Sequence, residues 1–152
     1  MCIITQWNLK EFSQLSVTEL YRILQLRNKV FIVEQNCVFL DLDDIDFVSW
    51  HLFGFNEIGQ KPIAYSRLIP PNIVYDDCSI GRVVSEKEYR TKGIGIELME
   101  KSILETKRLF STNQITIGAQ LYLKNFYSKF GFSSVGEIYL EDGIEHIKMK
   151  LS

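Results

Sequence analysis

The sequence predicts a mixed α/β (α+β) domain, a twisted sheet of short strands flanked by helices. Three observations carry this reading. A capping box introduces a run with helical spacing near the N-terminus. Short segments rich in β-branched and aromatic residues, bounded by Gly, Pro and Asn/Asp, recur through the middle. A strand, a glycine-bearing loop and a second helix then follow one another ahead of a closing hairpin.

Taken in order, Ile3 to Trp7 predicts a short first strand. In Ser16-Val17-Thr18-Glu19 the Ser16 hydroxyl can accept an orphan amide hydrogen, and Glu19 can reach back. Leu15 and Leu20 occupy the hydrophobic staple positions around it. Leu20, Ile23, Leu24, Arg27, Val30 and Phe31 recur at helical spacing, so a helix is expected from about Val17 to Phe31. Cys37 to Asp46 reads as an acidic loop carrying Asp41, Asp43, Asp44 and Asp46.

Trp50 to Phe55 and Pro62 to Leu68 predict two strands, joined by a hairpin loop from Asn56 to Lys61 that contains Gly59. Pro70 and Pro71 end the second of them, and Ile80 to Val84 is a third. Gly93 begins a helix to about Leu109, with Leu98, Met99, Ile103 and Leu104 available for burial. Ile115 to Ala119 suits a buried strand, and Leu123 to Phe130 a short helix. Val135 to Tyr139 and His146 to Met149 flank Glu141-Asp142-Gly143, where Asp-Gly is a strong hairpin signal.

At 152 residues, with no repeat, linker or low-complexity stretch, residues 1–152 read as one domain long enough to bury a core without disulfides. A net charge of -2 gives no electrostatic footprint for nonspecific nucleic-acid binding, so no nucleic-acid partner is expected. Cys2, Cys37 and Cys78 are odd in number and widely spaced, which predicts reduced thiols and no metal pair. The first ten residues lack the order of a signal peptide, and no apolar run approaches the ~20 residues of a membrane span. A cytoplasmic protein with no membrane partner and no metal is the expectation.

The most informative segment is Glu88-Tyr89-Arg90-Thr91-Lys92-Gly93-Ile94-Gly95, which follows a strand and opens a helix. Gly93 and Gly95 remove Cβ atoms where backbone would approach a ligand. First-turn amides have no intrahelical partner and lie at the positive end of the helix dipole, which suits an anion such as a pyrophosphate. Arg90 and Lys92 add positive charge. Two glycines that merely permit tight packing are the competing reading. Neither the P-loop pattern nor the dinucleotide fingerprint is present.

Arg90-x-x-Gly93-x-Gly95 resembles the acyl-CoA-binding signature of the GNAT superfamily of N-acetyltransferases, and Phe126-Tyr127-Ser128-Lys129-Phe130-Gly131-Phe132 resembles its second signature, Tyr-x-x-x-Gly-Phe. Val83-Val84-Ser85 matches the strand end that splays from its neighbour in that family. Leu26-Arg27 to Phe31, Val33-Glu34-Gln35-Asn36, Gly118-Ala119-Gln120, Asn125-Phe126-Tyr127 and the segment from Glu141 to Ile147 are similar to the ElaA-type subgroup, over nearly the whole chain.

The resemblance implies an acyl-CoA N-acyltransferase fold with acetyl-CoA as co-substrate, held by Val83, Val84, Ser85, Arg90, Thr91, Lys92, Gly93, Ile94, Gly95 and Asn125. It implies that Tyr127 protonates the leaving thiolate, and that a backbone amide at Val83–Val84 supports the oxyanion. A phenol with reference pKa near ~10 stays protonated at neutral pH; a core tyrosine is the competing reading. The strand feeding the loop offers Asp76-Asp77-Cys78-Ser79 without an obvious buried acid, so the base is open among Glu34, His51, His146 and water. Arg27, on an apolar helix face, either pairs with Glu34 or the acidic loop or binds a substrate carboxylate; Arg67 and Arg82 raise the same question. His51 and His146 are placed with Arg27 at the acceptor site. The acidic loop reads as solvated, with attraction of a cationic acceptor as the alternative.

The expected activity is transfer of an acetyl group to a primary amine of a small molecule or peptide in a ternary complex, since no histidine neighbours Cys37 or Cys78 to activate a thiol. A noncatalytic acyl-CoA sensor and a synthase of acyl-homoserine lactones are the alternatives. A homodimer through strand edges or the first helix is allowed by the sequence, though no pattern demands one.

Overall fold

Two antiparallel sheets meet at a single parallel bridge. The computed structural model describes residue 4 and residues 6–56 and 61–152. In the first sheet, β1 (Gln6–Glu11), β2 (Trp50–Phe55), β3 (Ala64–Ile69) and β4 (Ser79–Ser85) lie side by side in chain order. The second has the order β5 (Ile115–Gln120), β7 (Ile144–Leu151), β6 (Ser133–Glu141). The join is Cys78 to Ile115, where the Thr116 amide donates to the Cys78 carbonyl at 3.0 Å. No bridge between β4 and β5 follows it among the described residues, so the strands part toward their C-terminal ends.

Among the described residues the first strand runs from Gln6 to Glu11, with Trp7 and Leu9 packed against the core and Lys10 reaching Glu19. Ile3, Cys2 and the centre of the loop carrying Gly59 lie outside the described residues. The capping box forms as expected: the Glu19 amide donates to Ser16 Oγ at 3.0 Å and the Ser16 amide to Glu19 at 2.8 Å. Helix α1 (Val17–Arg27) then widens into a π-helical turn, Asn28–Glu34, shown by amides of Gln35 and Cys37 bonding carbonyls of Val30 and Ile32.

Helix α2 (Ile94–Phe110) covers the junction of the sheets with Leu98 and Met99. Leu104, expected to be buried, is exposed, and Ser102 and Thr106 face inward instead. Small polar residues allow close approach to β3, and Ser102 Oγ lies 2.7 Å from Ser66 Oγ and 2.6 Å from the Leu98 carbonyl. One apolar cluster joins Leu68 and Ile80 of the first sheet, Met99 of α2, and Ile115, Ile117 and Met149 of the second. Helix α3 (Lys124–Ser128) is short and closes this cluster through Tyr127. Asp142 and Gly143, both at positive φ (50° and 78°), make the β6–β7 turn that Asp-Gly predicted.

Candidate active site

A cleft of about 600 Å³ opens where β4 and β5 part. Val83, Val84 and Ser85 line one side, and Ile117, Gly118 and Gln120 the other. A bulge shapes the β4 side. Arg67 pairs with Gly81 but Tyr65 with Val84, so Ser66 faces the two residues Arg82 and Val83. Arg82 takes a positive φ of 48° there. The extra residue leaves backbone groups of this stretch outside the sheet ladder and beside the cleft.

The loop from β4 to α2 winds as a tight turn, Lys87–Lys92, and Gly93 reverses the chain at φ 80°. No side chain caps the amino end of α2. A Cβ on Gly95 would meet only Phe126, at an ordinary 3.6 Å, so the protein's own packing does not demand glycine; its absent side chain keeps the cleft wall bare. Uncapped amides, a left-handed glycine and a bare wall fit the diphosphate and pantetheine arm of an acyl-CoA. Gly95 lines the cleft with Val83, Val84 and Ser85, whereas Thr91, Lys92 and Gly93 belong to the turn leading to it and Ile94, the first residue of α2, is buried in the core. Lys92 lies over the Tyr89 ring, and Asn125 is exposed on α3 outside the cleft lining.

Arg90 differs from its expected part. Its guanidinium donates to both Glu34 oxygens and to the Ser85 carbonyl at 3.0 and 3.2 Å, so its charge is matched from the opposite wall. The Arg90 hydrogen bond holds the Glu34 carboxyl below its usual range. A carboxylate so paired is a poor proton acceptor, and the base reading of Glu34 is not sustained by this geometry.

Arg27 is also reassigned. It is fully buried, with Nε 2.9 Å from Asp41 and Nη1 2.7 Å from Asp46, and no edge is left for a substrate carboxylate. Arg67 reaches Asp43 at 2.7 Å and Asp46 at 3.1 Å, and Arg82 reaches Asp41 at 2.7 Å. The loop expected to be solvated is therefore folded inward as the anionic half of a six-residue cluster. Burial opposes ionisation of Asp46, but the Arg27 hydrogen bond and charge outweigh it and lower its pKa.

His51 belongs to the same interior. Its Nδ1 lies 2.7 Å from the Tyr65 hydroxyl and Nε2 2.9 Å from the Asp46 carbonyl. Burial lowers its pKa, and it lies outside the cleft lining, which removes it from the acceptor site. His146 does face the cleft. Its Nδ1 bonds the Ile144 carbonyl at 2.8 Å, which fixes the proton on Nδ1 and leaves Nε2 as the acceptor in the neutral ring; Nε2 lies 3.4 Å from Glu141.

Tyr127 lines the cleft from the core side, edge-on to Phe126 and Phe132 at 5.2 and 6.2 Å. Burial raises its phenol to about 12. Its hydroxyl has no hydrogen-bond partner among the described residues. Strand alternation separates it from His146. Ala119 and Ile147 pack with Tyr127, whereas Gln120 and His146, paired in register, point to the other face of β5 and β7.

Sequence reasoning missed Tyr75 and Tyr139. Both line the cleft, and their hydroxyls come so close over Gly118 that a Cβ there would lie 2.9 and 2.7 Å from them. Gly118 within an otherwise apolar strand was the available signal. Among the described residues no cluster of His, Cys, Asp or Glu could hold a metal ion, and no helix is long and apolar enough to cross a membrane.

Known proteins share this fold. Residues 53–152 match the model of the acetyltransferase (GNAT) domain. A UPF0039 protein of Synechocystis is 41% identical over 94% of this chain and 92% of its own length. ElaA of Escherichia coli is 38% identical over 95% of this chain and 94% of its own. The crystal structure of ElaA superposes with a TM-score of 0.89, at 36% identity over 97% of this chain and 99% of that one. An acyl-CoA N-acyltransferase from Pseudomonas aeruginosa superposes at 0.90, with 38% identity over 97% and 99%.

Proposed function

The chain belongs to the GNAT acetyltransferase family, in its ElaA-type branch, and from that premise we propose that it moves an acetyl group from acetyl-CoA to a primary amine of a small molecule or peptide. Membership itself carries the coarser statement, an acyl-CoA-dependent acyltransferase. The observation that supports the finer reading most is the cleft between β4 and β5, with Tyr127 on one face of β5 and His146 on the other.

The bound coenzyme supplies an electrophilic carbonyl and a thiolate leaving group. Backbone freed by the bulge at Arg82–Val83 is the source of hydrogen bonds for a developing oxyanion. His146 Nε2 takes the proton of the incoming ammonium or of the amine as it attacks. From the opposite face, Tyr127 donates its proton as the C–S bond breaks; a phenol raised to about 12 is fully protonated at neutral pH.

Direct transfer in a ternary complex is favoured over a covalent enzyme. Burial raises the Cys78 thiol to about 11, and Cys37 Sγ is engaged with the Asp142 carbonyl at 3.3 Å. The test is free-thiol release from acetyl-CoA across a panel of primary amines, with the acetylated amine identified by mass. Product amide at the rate of thiol release is the expected result. Coenzyme binding without any amide would leave the sensor reading instead.

A further inference from the structure

The acceptor end of the cleft has a chemistry of its own, and its assignment to an acceptor rests on the acyltransferase reading. Its walls are aromatic: Phe31, Phe39, Tyr75 and Tyr139 line it. Val74, also a lining residue, is 44% exposed. Aromatic and apolar side chains lining a cleft suit a ligand with an apolar body.

The charges are equally selective. The two guanidiniums that line this end, Arg67 and Arg82, are already matched by Asp41, Asp43 and Asp46, so they offer little to an anionic acceptor. Arg90 is matched by Glu34. Glu141 and Asp142 also line it, at the β6–β7 turn, and no Lys or Arg pairs with either among the described residues. Lys148 lies over the Tyr75 ring. What remains uncompensated among the lining residues is negative.

Gly118 sets the shape. The two tyrosine hydroxyls occupy the space that any side chain at 118 would fill, and the Tyr139 ring in turn lies against His146 with centroids 5.7 Å apart. The tyrosine pair therefore forms a fixed aromatic wall next to the imidazole. An acceptor whose nitrogen reaches His146 must lay its body along that wall.

We propose that the acceptor is a primary amine borne on an aromatic or branched apolar body, free of phosphate and carboxylate near the nitrogen. Such a molecule enters as an ammonium toward Glu141 and Asp142, and its body replaces water against Tyr75 and Tyr139. The ammonium proton passes to His146 and on to solvent. The nitrogen lone pair forms the C–N bond and the nitrogen gives a second proton to His146; the C–S bond breaks, the thiolate takes the Tyr127 proton, and the Tyr127 phenolate regains one from solvent, giving an amide and free coenzyme thiol. A free arylalkylamine and a peptide N-terminus with a large apolar first residue share this chemistry.

The experiment compares kcat/KM, by thiol release with the intact protein, for phenethylamine, isopentylamine, a Phe-Gly dipeptide amide, spermidine, glucosamine 6-phosphate and glutamate. The apolar amines should exceed the last three by about tenfold or more, the scale of one or two well-filled apolar contacts. Phenethylamine against the dipeptide amide tells the free-amine source from the peptide source. Preference for spermidine, the sugar phosphate or glutamate overturns the acceptor class while leaving the acyltransferase reading intact; absence of amide from every amine, with acetyl-CoA binding retained by calorimetry, overturns both. The double variant Glu141→Gln, Asp142→Asn lies on an exposed turn. It should raise KM for phenethylamine several-fold and leave KM for acetyl-CoA unchanged; an unchanged amine KM would remove the carboxylates from acceptor recognition.

Discussion

The polar cluster around Arg67 and Arg82 and the surface around Tyr127 and His146 border one cleft, yet they treat polar groups in opposite ways. In the first, three arginines and three aspartates pair with one another, with only Arg67 Nε of their buried atoms left without a partner among the described residues, and His51 is held at both ring nitrogens. In the second, the Tyr127 hydroxyl has no partner among the described residues, and His146 keeps one nitrogen free of any donor. Satisfied groups hold a shape. Groups left open at a cleft can exchange protons with a ligand. The same residue types, read only as letters, are candidates for both duties.

The largest effect should come from breaking the satisfied side. Arg27→Met leaves Asp41 and Asp46 buried without their shared cation, and an uncompensated buried charge costs about 3–5 kcal/mol. Urea unfolding should show that loss. A change below ~1 kcal/mol would mean the cluster is not what fixes the loop 37–46.

The elements with strong local signals were legible. The capping box, the Asp-Gly turn and the strand–glycine–helix unit are each written in a few neighbouring residues, and each formed. What the sequence hid depends on partners distant along the chain. Arg27 meets Asp46 nineteen residues away and Arg67 meets Asp43 twenty-four away, so the loop's four aspartates looked like a solvated run. Glu34 and Arg90 were each read as site residues, and the fold brings them together across 56 positions. Leu104 lost its expected burial because a close helix–sheet contact selected Ser102 and Thr106 over a larger side chain.

Next in size are the open groups. Tyr127→Phe keeps the ring packed between Phe126 and Phe132 and removes only the proton donor, so kcat should fall about 10²-fold or more with little change in KM for acetyl-CoA. Wild-type turnover by this variant would transfer the acid role to solvent.

The two histidines give a crossed test. Burial depresses the His51 pKa in the folded protein, so its stabilising contribution is full above the unfolded value of ~6.5 and is lost as pH falls through the lower folded value. Asp43 and Asp46 are depressed too, despite their burial, by Arg67 and Arg27, so their contribution disappears only below ~4. His51→Gln should erase the first of these two losses in a stability–pH curve and leave kcat in place. His146→Gln should lower kcat instead and leave stability at neutral pH in place. Identical behaviour of the two variants would dissolve the distinction between the two regions.

The smallest effect concerns a polar atom that is neither satisfied nor open. Thr106 Oγ1 is buried on the inner face of α2 with no hydrogen-bond partner among the described residues, close in the chain to Ser102, whose hydroxyl is bonded to Ser66. Nothing in the proposed chemistry uses it, and it does not line the cleft. A buried hydroxyl without a partner carries its desolvation cost uncompensated. Thr106→Val preserves the branched shape while removing that cost, so stability should rise by about 1 kcal/mol with kcat unchanged. Thr106→Ser keeps the hydroxyl and deletes a methyl, and should lower stability instead. If Val destabilises and Ser does not, the hydroxyl is held after all, and α2 joins the satisfied side of the molecule.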